Sequence, residues 1–418
     1  MTDPAPTSGA PVAGRTTDRT ADALPSTLRS DAQGLLPDLV RLRREIHRDP
    51  ELGMHLPRTQ QRVLEALEGT GIELRTGDAL SSVIGVVRGA HPGPVTLLRG
   101  DMDALPMRER TGLDFAADGE AMHACGHDLH VAGLVGAGRL LAQHRDQLHG
   151  DVVLMFQPGE EVGDGAQAML AEGVVAAAGR PADAAFAIHV VPGEYGYVST
   201  RPGTIMAGSF EFSVRIHGRG GHASAPHLTI DPIPVAAQLV TALQSFVTRR
   251  VSVFDPVVLS VTQLQAGGVA RNVVPDTAEI AGSIRVLSRE TQELVETVLP
   301  GLIRDVCAAG GCTATVELAL LCPTTVNDPA ETEHARAALG ALLGEDRVWE
   351  SPAPVMGSED FSYVLQEVPG TLLFLRATPP EVDLEAAAPN HSPEVVFDDR
   401  VLADQAAALA ALALAPRV

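Results

Sequence analysis

Two kinds of hydrophobic periodicity alternate along this chain, and their order predicts its elements. Leu and Val recur at helical spacing over residues 33–47 and stop at Asp49-Pro50. A second amphipathic helix is expected over 57–70, ended by Gly71. Short apolar runs follow at 81–89, 95–98, 151–156 and 184–191. Each reads as a buried strand. Between the second and third lies MHACGHDLHVAGLVGAG, 122–138, which turns into a Gly/Ala-rich helix running to about residue 144. A strand, TLLFLRA, and an Ala/Leu helix over 400–415 close the chain.

The pattern changes near residue 200. Over 204–320 the order is strand, helix, strand, strand, helix, strand, compatible with a split βαβ, ferredoxin-like α+β unit. We therefore expect an α/β catalytic domain with a mixed sheet and helices on both faces. It would be built from residues 31–203 and 321–418, with 204–320 inserted as a separate domain. The length, 418 residues, is too great for one ordinary core.

Composition narrows the function classes. A net charge of −22 makes nucleic acid and anionic membrane poor partners. Every basic residue apart from histidine is Arg, which excludes a Schiff-base lysine, a pyridoxal-phosphate site and a P-loop lysine. Four cysteines, Cys125, Cys307, Cys312 and Cys322, are too few for a disulfide framework. Residues 1–27 are rich in Pro, Thr, Ala and Ser without an apolar core, so a disordered tail is expected over 1–30 instead of a signal peptide. No membrane span is expected, and the cytoplasm is the simplest location.

Candidate chemistry sits where the strands end. Cys125 and His127, two residues apart at the mouth of a helix, can grip one metal ion. The strand at 95–98 ends in Arg99, Gly100, Asp101 and Asp103. The strand at 151–157 ends in a turn bearing Glu160 and Glu161, and His189 closes an apolar strand. Open α/β sheets keep their ligand sites just past such strand ends. In a metal site, adjacent carboxylates can divide the labour: one coordinates and the other takes a proton from water. Taken singly, each feature has a plainer reading as a satisfied core histidine, a solvated glutamate or a polar loop. Taken together, they point to a metal centre. In the inserted segment, His222 lies in a glycine-rich turn, Asn272 before a turn and Arg285 on a strand, where turn residues and a surface arginine are the plain alternatives. Gly-Ser-Glu-Asp at 357–360 reads as a helix cap, and His391 lies in a Pro-flanked loop.

The motifs RGDMDALPM, HACGHDLH, QPGEE, AIHV, GRGGHASAPH, GGVARNVVPD, MGSEDFS and NHSPEVVFDD occur in that order. Over about residues 35–410 the chain resembles the amidohydrolase branch of the aminoacylase/carboxypeptidase metallopeptidases, with hippurate, N-acyl-amino-acid and auxin-conjugate hydrolases. The resemblance implies two divalent metals, zinc or manganese, held by Cys125, His127, Glu161, His189 and His391. It implies Glu160 as general base and Asp103 as a group that orients a ligand. His222 would come from the partner subunit to stabilise the oxyanion, and Asn272 and Arg285 would bind the substrate's carboxylate or the oxyanion. The inserted domain would then act as lid and dimer interface in a homodimer or a tetramer. The implied reaction is hydrolysis of N-acyl-L-amino acids, with a metallo-carboxypeptidase or dipeptidase as the alternative. Other branches carry a His-x-Asp pair where this chain has Asp101 and Asp103, so no ligand role is carried to Asp101.

Overall fold

The structure is a computed structural model that describes residues 24–417. Most of the expected tail, residues 1–23, lies outside the described residues. Its last three residues do not remain a tail, because the first helix, Leu28–His47, begins with a fully buried Leu28. The second helix spans Pro57–Leu67, shorter than the expected 57–70. Glu68 leaves helical geometry (ψ 139°), and Gly69 and Gly71 follow with positive φ.

An eight-stranded mixed sheet organises the chain outside the inserted segment. Four parallel strands form its middle, in the order His149–Gln157, His91–Asp101, Ala184–Val191 and Gly370–Arg376. Strands buried on both faces read as unbroken apolar runs, which is why these were visible in the sequence. One face is covered by helices Leu28–His47, His127–Gln143, Pro329–Leu343 and Val401–Leu414. The other carries the short helices Gly165–Ala171 and Phe361–Glu367.

The helix His127–Gln143 is buried along most of its length. Its glycines are imposed by close packing. A Cβ at Gly136 would lie 2.7 Å from Ala406 and 2.8 Å from Leu39, and one at Gly133 would lie 2.6 Å from Gln405. The weak helix propensity of glycine, about 1 kcal/mol per residue, is accepted in exchange for this approach.

The inserted segment has its own core, built on Phe210, Val214, Leu239, Ile280 and Leu299. Its four strands pair antiparallel in the order Val258–Ala266, Thr277–Val286, Gly208–His217 and Thr313–Cys322. The helices Pro232–Arg250 and Arg289–Ala309 pack against one face.

Candidate metal centre

The middle strands deliver their chemistry to one edge. Asp101 is the last residue of its strand, Glu160 and Glu161 follow the strand that ends at Gln157, and His189 lies two residues from the end of its own. Cys125 arrives on the turn before the helix His127–Gln143. Gly126 caps that helix at φ 89°, and a Cβ there would lie 2.3 Å from Val190 Cγ2. Only glycine lets this turn sit against the neighbouring strand.

His391 comes from 266 residues downstream of Cys125. It is the one non-glycine residue with positive φ (67°) among the described residues. Its N–H donates to Ala124 O at 2.9 Å, and the Asn390 amide donates to Cys125 O at 3.2 Å and Val190 O at 3.3 Å. These bonds hold a conformation that costs roughly 1–3 kcal/mol.

Five predicted side chains meet here. Cys125 Sγ lies 3.4 Å from His189 Nε2 and 3.2 Å from His391 Nε2. Glu161 Oε1 lies 3.5 Å from His391 Nε2 and 3.9 Å from His127 Nε2. Their donor atoms fall into overlapping groups, Cys125–His127–His189 and Cys125–Glu161–His391, that could each hold an ion. His127 Nδ1 donates to Asp103 O and His189 Nδ1 to Val190 O, both at 2.8 Å, so each ring offers Nε2 inward.

The residues fit divalent cations. His127 Nε2 and Glu161 Oε1 are buried and have no hydrogen-bond partner among the described residues. Such groups are costly to leave unpaired unless something binds them. The local charge points the same way. Burial, Glu359 and Glu161 push Glu160 well above the usual carboxylate range. Burial pushes Glu161 up to about 7, although His127 opposes it. Burial also pushes the Cys125 thiol up to about 12, which leaves no thiolate for attack on a substrate without a bound cation. Thiol, imidazole and carboxylate together suit zinc and similar ions.

Asp103 braces the glutamates: Oδ1 accepts the Glu160 N–H at 3.0 Å and Oδ2 the Glu161 N–H at 3.1 Å. Asp101 is already occupied. It accepts from Arg99 and from His130 Nδ1, the latter at 2.5 Å, while Val190 N–H donates to His130 Nε2 at 2.8 Å.

Sequence reasoning missed a buried network beneath the base. Arg99 donates to Gln157 Oε1 at 2.9 Å, Glu359 Oε1 at 2.8 Å and Asp360 Oδ1 at 2.9 Å. Gln157 Nε2 also donates to Asp360. From sequence, the Glu359-Asp360 pair reads only as a helix cap. Glu359 does accept the Phe361 N–H at 3.0 Å, but Asp360 makes no cap bond to its own helix and instead accepts from Arg99, Gln157 and Ala166 N. The arginine closing an apolar run, Arg99, was the available signal, since a cation in a buried strand requires acidic partners.

A cleft of about 820 Å³ opens over the centre, lined by Cys125, Glu160, Glu161, His189 and His391. Arg285 reaches it from the inserted segment, and its Nη1 donates to Ser358 Oγ at 3.0 Å. His222 and Asn272 do not line it. His222 lies exposed on a two-stranded ladder, paired with Val273, and the exposed Asn272 immediately precedes that strand.

A profile of the peptidase family M20/M25/M40 matches residues 97–415. The chain is 37% identical over 393 residues to thermostable carboxypeptidase 1 of Saccharolobus solfataricus, covering 93% of this chain and 97% of that one. It is 38% identical to IAA-amino acid hydrolase ILR1-like 4 of Arabidopsis thaliana, covering 81% and 76%. It is 36% identical to N-acetylcysteine deacetylase of Bacillus subtilis, covering 81% and 87%. Among solved structures it matches the Bacillus subtilis YXEP protein, described as a dinuclear metal binding peptidase, with TM-score 0.77 and 30% identity over 91% of this chain and 98% of that one. That kinship and the ligand groups together support two divalent metals. The chain belongs to peptidase family M20/M25/M40 and is a metal-dependent enzyme of the amidohydrolase and peptidase type.

Proposed function

We propose that this enzyme hydrolyses the amide bond of N-acyl-L-amino acids, releasing a carboxylic acid and a free amino acid. One observation carries the reading. The Glu160 carboxylate lines the cleft within 4.8 Å of the donor atoms of His127 and Glu161, whose Nε2 and Oε1 have no hydrogen-bond partner among the described residues. Cys125, His127, Glu161, His189 and His391 would hold two zinc or manganese ions. When bound, these ions supply Lewis acidity, polarising the amide carbonyl and making water more acidic. Glu160 takes a proton from water as its oxygen bonds to the carbonyl carbon. It returns that proton to the nitrogen as the C–N bond breaks. Asp103 keeps Glu160 in position through its backbone. Arg285 offers a two-pronged donor to the substrate's α-carboxylate.

We assign the inserted ferredoxin-like domain as lid and dimer contact in a homodimer. His222 of the partner subunit would then serve the oxyanion, and Asn272 the substrate. Support comes from their exposure away from their own cleft, and from the strand Val258–Ala266, which pairs on one side only among the described residues and exposes Leu264. The relatives named for N-acetylcysteine and for an amino-acid conjugate favour acyl-amino acids, whereas the relative named carboxypeptidase favours peptide substrates. Turnover of N-acetyl- and N-benzoyl-amino acids against dipeptides decides. A strict dipeptidase would leave benzoyl-glycine intact.

A further inference from the structure

The cleft contains a second guanidinium for which the hydrolysis itself has no use. Arg376 ends the strand Gly370–Arg376, which runs parallel to Ala184–Val191. In that register Phe374 pairs with His189, and Arg376 pairs with Val191. Alternate residues share a face, so Val191 and Arg376 lie one step beyond His189 and Phe374, about 6.6 Å further out. All four line the cleft.

Arg376 is half-buried and has no carboxylate partner among the described residues. Its Nη1 donates to Pro192 O at 3.0 Å, and its guanidinium carbon lies 5.8 Å from the Trp349 ring centroid. Nε and Nη2 have no protein acceptor among the described residues. Burial lowers its pKa, the mark of a cation that lacks a counter-charge. The wall is also shaped around it. Gly193 has φ 144°, and a Cβ there would lie 2.6 Å from Arg376 Cδ. In a chain with 53 acidic residues and 31 arginines, a cleft cation left without an acid is available to a ligand. The step nearer the metal centre is apolar, since Phe374 stands beside His189, and Val191, Leu384 and Ala387 also line the cleft.

We propose that Arg376 binds a second carboxylate on the substrate. The preferred substrates are N-acyl-amino acids with one carboxylate beyond the α-carboxylate, separated from the scissile amide by a short apolar spacer. This rests on the amidohydrolase reading of the cleft. The extra carboxylate can end a dicarboxylic acyl group or be the side chain of an acidic amino acid, and two matched pairs separate these. One pair is N-glutaryl-alanine and its terminal amide; the other is N-acetyl-glutamate and N-acetyl-glutamine.

In at least one pair the acid is favoured about tenfold or more in kcat/KM, chiefly through KM. Arg376→Gln collapses that ratio and Arg376→Lys retains part of it. The pair that responds identifies the source. Equal rates within both pairs, or a preference that survives Arg376→Gln, overturn the proposal and leave the amidohydrolase reading intact. Hydrolysis of none of the four substrates overturns that reading instead. Calorimetry with glutarate then decides the present proposal alone: binding to the wild type that is lost in Arg376→Gln supports it, and absence of binding refutes it.

Discussion

Asp103 and Glu160 are joined through side chain and main chain: Asp103 Oδ1 accepts the Glu160 N–H at 3.0 Å, while its other oxygen holds Glu161. One carboxylate thus aims both glutamates. Asp103→Asn keeps the shape but turns an NH2 group toward a backbone N–H. We expect kcat to fall about 10–100-fold with little change in thermal midpoint. Steady-state kinetics beside a melting curve checks this.

Glu160→Gln removes the proton acceptor and leaves the ligand atoms in place. Turnover falls about 10²–10⁴-fold, while elemental analysis finds the same metal content as in the wild type. A variant that keeps its rate would refute the assignment of the base.

Chelation leaves the buried carboxylates and His127 Nε2 without compensation. Activity is lost and the thermal midpoint drops. Both return when zinc or manganese is added back in excess, since binding to the folded state alone adds about 2.7 kcal/mol at a hundred times Kd. Calorimetric melting with and without chelator measures the shift.

Gly136→Ala places a methyl group 2.7 Å from Ala406 and 2.8 Å from Leu39. Overpacking costs about 1–3 kcal/mol, and the better helix propensity of alanine returns about 1. The net loss appears in urea unfolding. A gain in stability would mean that the two helices separate freely.

A buried cluster behind the centre sets a pH window. His47 Nδ1 bonds Asp128 Oδ2 at 2.8 Å and its Nε2 lies 3.2 Å from Glu109, while Arg43 Nε donates to Asp128 at 2.6 Å. Burial alone would lower the His47 pKa, but Asp128 and Glu109 outweigh it and the net shift is upward. A raised pKa stabilises fully below the unfolded value near 6.5, and the gain is lost as pH rises through the folded value. The gap in melting temperature between wild type and His47→Gln therefore narrows from pH 6 toward alkaline pH.

Much of this was legible because parallel strands announce themselves as apolar runs and gather their ends. Asp101, Glu160, Glu161 and His189 each follow or close such a run, so a shared edge was inferable without coordinates. Partner choice was not. Nothing local distinguishes Asp360, which turns toward Arg99 and Gln157, from an ordinary helix cap, because that choice depends on a strand 261 residues away. The same holds for Arg376, whose isolation from acids is a property of the folded surface. His222 and Asn272 lie close together, away from the cleft of their own chain, a placement that no local feature of the sequence gives.

The inward-facing imidazoles of His127 and His189 are both anchored at Nδ1 on main-chain oxygens. A peptide carbonyl survives every replacement of its own side chain. Variation at position 103 or 190 can therefore alter the surroundings of these rings while leaving their tautomers where they are. Such a scaffold can drift in sequence around its cations and diversify in what it cleaves before it forfeits the ability to hold them.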